Sequence, residues 1–256
     1  MFRSDLIREV AYGTLTKAER ARRHHGIAKY LSRAVPERAE ADERLVDMVA
    51  FHYGAAAELC AGLGVVDGVP VSITADALDW LEEAARRAEV AQALPVAERL
   101  YSQALRLLPI EASTRRVHFL LGRAAVSAKM RATDSARADV DEARAAALAL
   151  NDEAGVARSL LVRGEVERDN GDLAAAVSTL NEAVVQFRAL GDTRGAGAAT
   201  REIGLAQIFL GANDEAEASI RSALASSREA GDRRGQDAGT AENQRGRGDG
   251  HPASSR

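Results

Sequence analysis

The chain has 256 residues, and its 34 basic and 38 acidic side chains leave a net charge of −4. A chain of this length can bury a substantial core, whereas the near-balance of charge excludes a strongly basic nucleic-acid-binding protein or a protein drawn to membranes by charge. Aromatic residues make up only 4% and alanine is abundant, which favours closely packed helices over a β-sandwich.

The chain carries no sign of export or membrane insertion. Charges are spread through Met1–Tyr12, unlike the apolar core of a signal peptide, and no apolar run reaches the roughly 18 residues that span a bilayer. Cys60 is the only cysteine, which excludes an intrachain disulfide and favours a reducing compartment. We therefore expect a cytoplasmic protein that binds neither membranes nor nucleic acid.

Residues 1–34 are predicted to form two helices separated by a break at Gly13 and Thr14. Thr16 and Glu19 have the spacing of a capping box for the second helix, which is predicted to bury Ile27 among other apolar residues. A third helix is predicted at about 42–59, with Met48 on its buried stripe.

The segments "FRSDLIREVAYGTLTKAERARRHHGIAKYL" and "LVDMVAFHYGAAAEL" resemble the helical region that follows the ATPase module in bacterial signalling ATPases of the AAA/STAND type. Such proteins often carry a cyclase or a LuxR-type DNA-binding domain and end in tetratricopeptide repeats. The resemblance covers the first sixty residues and implies a regulatory, partner-binding role.

Two departures limit what this resemblance implies. Ser4 occupies a position that is usually histidine in such proteins, and the chain lacks a G-x-x-x-x-G-K-[ST] phosphate-binding loop. The metal-binding carboxylates of a cyclase cannot be placed either. We therefore expect no enzyme activity and no cofactor or metal, and interpret the chain as the C-terminal part of such a protein, alone or truncated.

Residues 61–75 are predicted to form a connector loop. Asp67-Gly68 can form a type I′ turn, so a short hairpin is the alternative to an extended connector at Val69-Pro70. Thr74 or Asp76 is predicted to cap the next helix.

The stretch 152–231 is one unit written twice. Seven residues recur forty positions later: Asp152, Gly164, Gly171, Ala176, Leu180, Ala183 and Gly191 return as Asp192, Gly204, Gly211, Ala216, Ile220, Ala223 and Gly231. Such fixed-period similarity indicates a stacked repeat array. Small residues let paired helices approach closely, while Asp172 and Asn213 are predicted to cap the second helix of each pair.

Similar spacings extend the array upstream to residue 76, and they resemble the tetratricopeptide pattern. The first repeat matches in its second half, through Ala97, Tyr101, Ala104 and Pro109. The second has Gly122 at the position given to Gly164 and Gly204. We predict an all-α fold, a right-handed α-solenoid of about four helix hairpins over 76–231, preceded by the helical segment 1–60.

A stacked array of this kind presents a surface for holding partners. Projection of the repeat register places eight residues on the concave face as a peptide groove, with an ordinary solvated face as the alternative: Arg116, Phe119, Arg123, Arg158, Leu161, Glu165, Arg168 and Arg201. The excess of arginine favours an acidic protein or peptide as the partner.

The chain's last segment, 232–256, has no apolar periodicity and is predicted to be a disordered tail, either a genuine tail or the result of a truncation or frameshift. Asp232–Gly235 repeats the start of the preceding unit, Asp192–Gly195. Ile208 and Phe209 would then lie at an uncapped end of the array, where we expect fraying or self-association.

Single histidine, cysteine, aromatic and arginine residues of the kinds found in functional sites are predicted to have structural roles here. His24 and His25 point to different faces of a helix and make a poor metal pair, whereas His52 and His118 are predicted to be satisfied boundary residues. Cys60 is predicted to be an unreactive thiol, and Trp80 and Tyr101 packing residues. Arg20, Arg22 and Arg23 are assigned to a solvated face rather than to nucleic-acid binding.

The sequence thus predicts a non-catalytic protein-interaction and regulatory module. The alternative is that the chain is part of an ATP-binding cyclase or of a LuxR-type regulator whose catalytic or DNA-binding domain lies elsewhere.

Overall fold

The computed structural model describes residues 12–35, 43–225, 228 and 231. Every regular element in these residues is a helix, which confirms the all-α prediction. Residues 213–225 are helical and follow nine helices: α1 (Lys17–Ser32), α2 (Glu43–Ala61), α3 (Ile73–Val90), α4 (Leu94–Leu107), α5 (Thr114–Lys129), α6 (Thr133–Ala149), α7 (Glu153–Asn170), α8 (Leu173–Ala189) and α9 (Thr193–Leu210). The helices pack as consecutive neighbours within each of two compact units, the arrangement of an α-solenoid of helix hairpins.

The two units are Met1–Leu150 (unit 1) and Asn151–Arg256 (unit 2). The predicted boundaries at 60 and 75 fall inside unit 1, because the connector and its flanking helices share one core. Val49 of α2, Val66 of the connector and Ile73 of α3 belong to the same buried cluster. The Tyr53 ring also stacks on Trp80 at a centroid distance of 6.4 Å. The N-terminal helices therefore pack as part of unit 1.

The start of α1 follows the predicted capping box. The Glu19 N–H donates to the Thr16 hydroxyl at 3.2 Å, and the Thr16 N–H donates to the Glu19 carboxylate at 2.8 Å. The predicted break at Gly13 is wrong, because residues 12–14 are helical. The rest of the predicted first helix and the predicted tail at 232–256 lie outside the described residues.

The connector contains turns and no strand among its described residues, so the alternative β-hairpin is wrong. The helix after it begins earlier than predicted, with Ser72 rather than Thr74 or Asp76 at the N-cap position. Two residues placed on buried stripes are instead exposed: Ile27 is 42% exposed and Met48 is 47% exposed. Helical periodicity alone does not reveal which apolar residues of a helix a neighbouring element covers.

The turns between paired helices share one backbone feature, a residue in the left-handed region. In each turn, the first or second residue after the first helix of the pair has a positive φ: 58° at Gln92, 64° at Arg131, 94° at Gly171 and 77° at Gly211. At Gly171, the next N–H, that of Asp172, donates back to the Glu167 carbonyl at 2.9 Å, which is the hydrogen bond of a Schellman motif. Glycine avoids the steric cost of this conformation, and unit 1 accepts that cost at Gln92 and Arg131.

The two copies of the forty-residue unit also have equivalent packing in the structure. A Cβ atom built on Gly164 would lie 2.4 Å from Cγ of Leu180, and one built on Gly204 would lie 2.8 Å from Cγ1 of Ile220. Leu180 and Ile220 are themselves forty residues apart. Both glycines therefore let a helix pack closely against a branched side chain at the equivalent position of its partner helix, as the sequence predicted.

The helix starts also repeat, since the N–H groups of Gly155 and Gly195 donate to the carboxylates of Asp152 and Asp192, each at 2.8 Å. The predicted cap by Asp172 is wrong, because this residue occupies the N-cap position of α8 but makes no side-chain cap. Its carboxylate instead accepts a hydrogen bond from the Asn170 amide at 2.8 Å.

The predicted register of the second repeat is also wrong at Gly122. A Cβ atom there would lie 2.6 Å from the Tyr101 ring of the preceding helix α4, not against the partner helix α6. Ala124, rather than Gly122, lies forty residues before Gly164, and it is fully buried. Gly122 thus makes room for an aromatic ring between neighbouring hairpins.

Candidate functional site

The predicted groove residues divide between the units, and the three in unit 1 are engaged within the fold. Arg123 on α5 donates two hydrogen bonds to the Asp139 carboxylate on α6, at 2.7 and 2.8 Å, and a third to the Ser102 hydroxyl at 3.1 Å. The hydrogen bond with Asp139 is the largest influence raising the pKa of Arg123. The Arg123 guanidinium thus connects α4, α5 and α6, and its hydrogen-bond donors are engaged within the fold.

The other two groove residues of unit 1 are similarly occupied. The Arg116 guanidinium lies 2.6 Å from the Glu142 carboxylate. Phe119 has no exposed surface, and its ring packs against that of Tyr101 at 6.2 Å. The assignment of Phe119 to a groove is therefore wrong, because the residue lies on the inner side of α5, where helices α4 and α5 meet.

The five groove residues of unit 2 are more accessible. Four form a stripe along α7 at intervals of three or four residues: Arg158, Leu161, Glu165 and Arg168. Arg201 lies on the neighbouring helix α9. The side chains of Arg158 and Arg201 are 43% and 62% exposed, whereas that of Arg168 is only 14% exposed. The structure therefore places these residues on adjoining helices of one unit.

A buried ionic network joins α7 and α9 beneath this stripe. Glu202 is 4% exposed and forms ion pairs with Arg168 of α7 and with its neighbour Arg201, the latter at 2.7 Å. Glu167, 9% exposed, pairs with Arg163 at 3.1 Å. Sequence analysis missed both acidic residues, because a glutamate within a helix usually lies at the surface.

Arg158 is held least firmly of these cations. Its Nε donates to the Ala154 carbonyl at 3.3 Å, and its guanidinium lies 3.6 Å from the Asp152 carboxylate, which already caps α7 through Gly155. Neither contact has the two-pronged geometry seen at Arg123, so the guanidinium of Arg158 keeps donors for another carboxylate.

The residues assigned structural roles have partners in the fold. Nε2 of His118 lies 3.1 Å from the Glu82 carboxylate, and Tyr101 donates its hydroxyl proton to Glu89. Burial raises the pKa of Tyr101 far above its ordinary value and also raises the pKa of the buried Cys60 thiol. A raised pKa disfavours the nucleophilic thiolate, which agrees with an unreactive cysteine.

Two histidines that the sequence analysis treated independently are in contact in the structure. His24 of α1 and His52 of α2 share a hydrogen bond between their Nδ1 atoms at 2.8 Å. Among the described residues, no group of three or more His, Cys, Asp or Glu side chains is arranged to hold a metal ion. None of the helices described is both long and apolar enough to traverse a lipid bilayer.

Comparison with known proteins relates the chain to repeat structures. One similar structure is Rap protein complexed with Competence and Sporulation Factor, with a TM-score of 0.56 at 17% identity over 88% of this chain. This chain spans 59% of the length of that Rap chain. A Podosopora anserina chain named as a kinesin light chain with nearly identical TPR-like repeats has a TM-score of 0.51 at 15% identity, covering 83% of this chain and 97% of that one.

The similarity to these structures concerns the fold, because both identities are below 20%. No protein-family model matches the chain. No curated protein matches it in sequence.

Proposed function

We propose that residues 76–231 act as a non-catalytic protein-interaction module whose partner is a protein or peptide with acidic side chains. The fold supports this, because it is shared with TPR-like repeats and with Rap, which was solved in complex with Competence and Sporulation Factor. Stacked helix hairpins form extended concave surfaces that can bind partners. The partner-binding surface in this proposal is the α7–α9 surface, defined by Arg158, Leu161, Glu165, Arg168 and Arg201.

The exposed guanidinium groups of Arg158 and Arg201 carry the proposal. Arg158 makes only long contacts, at 3.3 and 3.6 Å, so an incoming carboxylate gains hydrogen bonds without displacing a strong partner. Arg201 donates to Glu202, but Glu202 also pairs with Arg168, which in turn contacts Asp169. Glu202 therefore keeps a cationic partner when Arg201 turns to a ligand. Hydrogen bonds between charged groups are about twice as strong as neutral ones.

Binding of an oligoglutamate peptide of about ten residues tests this proposal on the full-length chain. We expect fluorescence anisotropy to show binding that weakens as salt rises, because exposed charges are screened. The double variant Arg158→Glu/Arg201→Glu is expected to weaken binding more than tenfold, since each lost charge-assisted contact contributes about 1 kcal/mol or more.

Arg188→Glu is the matched control, because Arg188 is an exposed arginine on α8 of the same unit. The control is compared with the single variant Arg158→Glu, which changes the net charge by the same amount, and equal losses in these two would mean that only net charge matters. Failure of oligoglutamate to bind the wild-type chain would refute the acidic partner, while an oligolysine peptide that binds would reverse the expected chemistry.

A specific surface supports self-association as a second function. Leu224 is 55% exposed, whereas its counterpart forty residues earlier, Val184, is 7% exposed because α9 covers it. Beside Leu224, a groove of about 420 Å³ has a largely apolar floor that includes Ile208, Ala216 and Ile220. Since this is the same surface that α9 covers one repeat earlier, we propose that a helix of a second copy of the chain covers it.

Sedimentation velocity of the full chain tests this association. Wild-type protein is expected to form concentration-dependent dimers, and Leu224→Asp is expected to shift it to monomer by placing a charge in the apolar contact. Val185→Asp is the matched control, since Val185 is a 65% exposed aliphatic residue elsewhere in unit 2. A monomeric wild-type chain at all concentrations would rule out the proposal.

We also propose that the module regulates a signalling ATPase or cyclase, or a LuxR-type regulator, in the cytoplasm. This proposal rests on the resemblance of the first sixty residues to the region after such ATPase modules. The lone cysteine, Cys60, agrees with a reducing compartment.

A further inference from the structure

A chain of three polar rings crosses the N-terminal helix hairpin of unit 1. The Tyr12 hydroxyl lies 2.9 Å from Nε2 of His24, and Nδ1 of His24 lies 2.8 Å from Nδ1 of His52. His24 is 7% exposed, and the Phe51 ring meets it edge-on at 5.9 Å. These contacts tie the residues preceding α1 to α1, and α1 to α2.

The contact between the two imidazoles requires one proton between the facing nitrogens. With both rings neutral, one Nδ1 carries the hydrogen and the other accepts it, while the Tyr12 hydroxyl and Nε2 of His24 complete a second hydrogen bond. When both rings are protonated, each Nδ1 is a donor. The hydrogen bond is then lost, and two positive charges face each other at a separation of about 3 Å, where repulsion is strong.

The described surroundings offer nothing to balance those charges. No carboxylate of the described residues forms an ion pair with either imidazole, and His52 is the charged neighbour that acts on His24. Arg20 of α1 lies at the Tyr12 end of the chain of rings, with its guanidinium 5.0 Å from the centre of the Tyr12 ring. His25 lies beside Tyr53 instead, and Arg22 donates to the Asp67 carbonyl at 3.4 Å.

We propose that Tyr12, His24 and His52 form a proton-operated latch that holds the α1–α2 hairpin closed at neutral pH and releases it when both imidazoles are protonated. The released hairpin would uncover the small buried residues Ala21 and Ala28 of α1 and Val49 of α2, which are fully buried in the closed form. The latch thus links the exposure of an apolar surface to acidity.

The direction of the pH effect follows from proton counting. Burial lowers the pKa of His24 and of His52 below the ordinary 6.5, and the charge of His52 lowers that of His24 further. The closed hairpin therefore binds fewer protons than the open one. Its stability is fully present above about pH 6.5 and is lost as the pH falls through the lowered pKa values of the folded form.

Hydrogen exchange on the full-length chain tests the latch. After correction for intrinsic rates, protection of the α1 amides is expected to fall as the pH is lowered from 7.5 to 5.5, because the open hairpin binds more protons than the closed one. Protection in α8, which lies in unit 2 and contains no histidine, is expected to stay constant. The Cε1–H resonances of His24 and His52 are expected to titrate with midpoints below 6.5.

Two variants separate the latch from general acid sensitivity. His52→Gln keeps a hydrogen-bonding partner for His24 without a second charge, so the loss of α1 protection at pH 5.5 is expected to shrink. His25→Gln on the same helix is expected to behave like the wild type. Unchanged α1 protection across the pH range, ordinary midpoints for both imidazoles, or an equal effect of the two variants would overturn the proposal.

Discussion

Replacement of Gly164 by valine is expected to lower the free energy of unfolding of unit 2 by about 3 kcal/mol, the upper part of the range for overpacked cores. A Cβ atom at this position would lie 2.4 Å from Cγ and 2.6 Å from Cδ2 of Leu180. Leu180 has no exposed surface, so it cannot move into solvent, and α7 must move away from α8. Chemical denaturation of the purified chain measures the loss.

A double variant isolates the contact. Leu180→Ala alone is expected to cost about 3 kcal/mol by leaving a cavity, but combined with Gly164→Val the total should be well below the sum, because the valine fills that space. Gly26→Ala is the control, since a Cβ atom on Gly26 of α1 meets no atom within 4 Å, and alanine favours the helix. Additive losses in the double variant would contradict the account.

Replacement of Arg123 by leucine is expected to destabilise unit 1 by about 3 kcal/mol. Asp139 is 6% exposed and accepts both hydrogen bonds from this guanidinium. Loss of Arg123 leaves a buried carboxylate without its charged partner, and breaking one side of a buried ion pair costs about 3–5 kcal/mol. The 27% exposure of the Arg123 side chain favours the lower end, and urea denaturation provides the measurement.

Arg86→Leu tests whether burial accounts for that loss. Arg86 binds Glu83 through two hydrogen bonds in the same unit, but its side chain is 62% exposed, so the expected cost is below about 1 kcal/mol. The double variant Arg123→Leu/Asp139→Leu is expected to recover much of the stability, because no unpaired charge remains. A loss at Arg123 no larger than at Arg86 would show that the pair is not structural.

The contrast between Arg123 and Arg158 shows how far sequence reasoning reached. Both were predicted to line a groove, because helical periodicity gives the face of a helix on which a residue lies. Periodicity does not give the acidic residue opposite. Asp139 stands sixteen residues after Arg123 on the partner helix, and only the packing of α5 on α6 brings the two together. Among the described residues, Arg158 makes only longer contacts, at 3.3 Å with the Ala154 carbonyl and at 3.6 Å with Asp152.

The histidine pair illustrates the same limit. His24 and His52 are separated by 28 residues. His52 was predicted to be a satisfied boundary residue, whereas His24 was judged only to be a poor metal partner for His25. Neither the contact between His24 and His52 nor the absence of a carboxylate near the pair among the described residues follows from a single-helix pattern. The latch depends on the distance between two helices, which the sequence does not encode locally.

The sequence by itself determined the all-α class, the forty-residue period and the matched surroundings of Gly164 and Gly204, because each depends on residue types at fixed spacing along one helix or one turn. Tertiary structure decided which charged side chains form ion pairs within the fold and that Phe119 lies in the core. It also decided that Gly122 makes room for Tyr101 and that Arg131 takes a conformation suited to glycine. These outcomes depend on contacts between helices, where a shift of a single residue in register changes every neighbour.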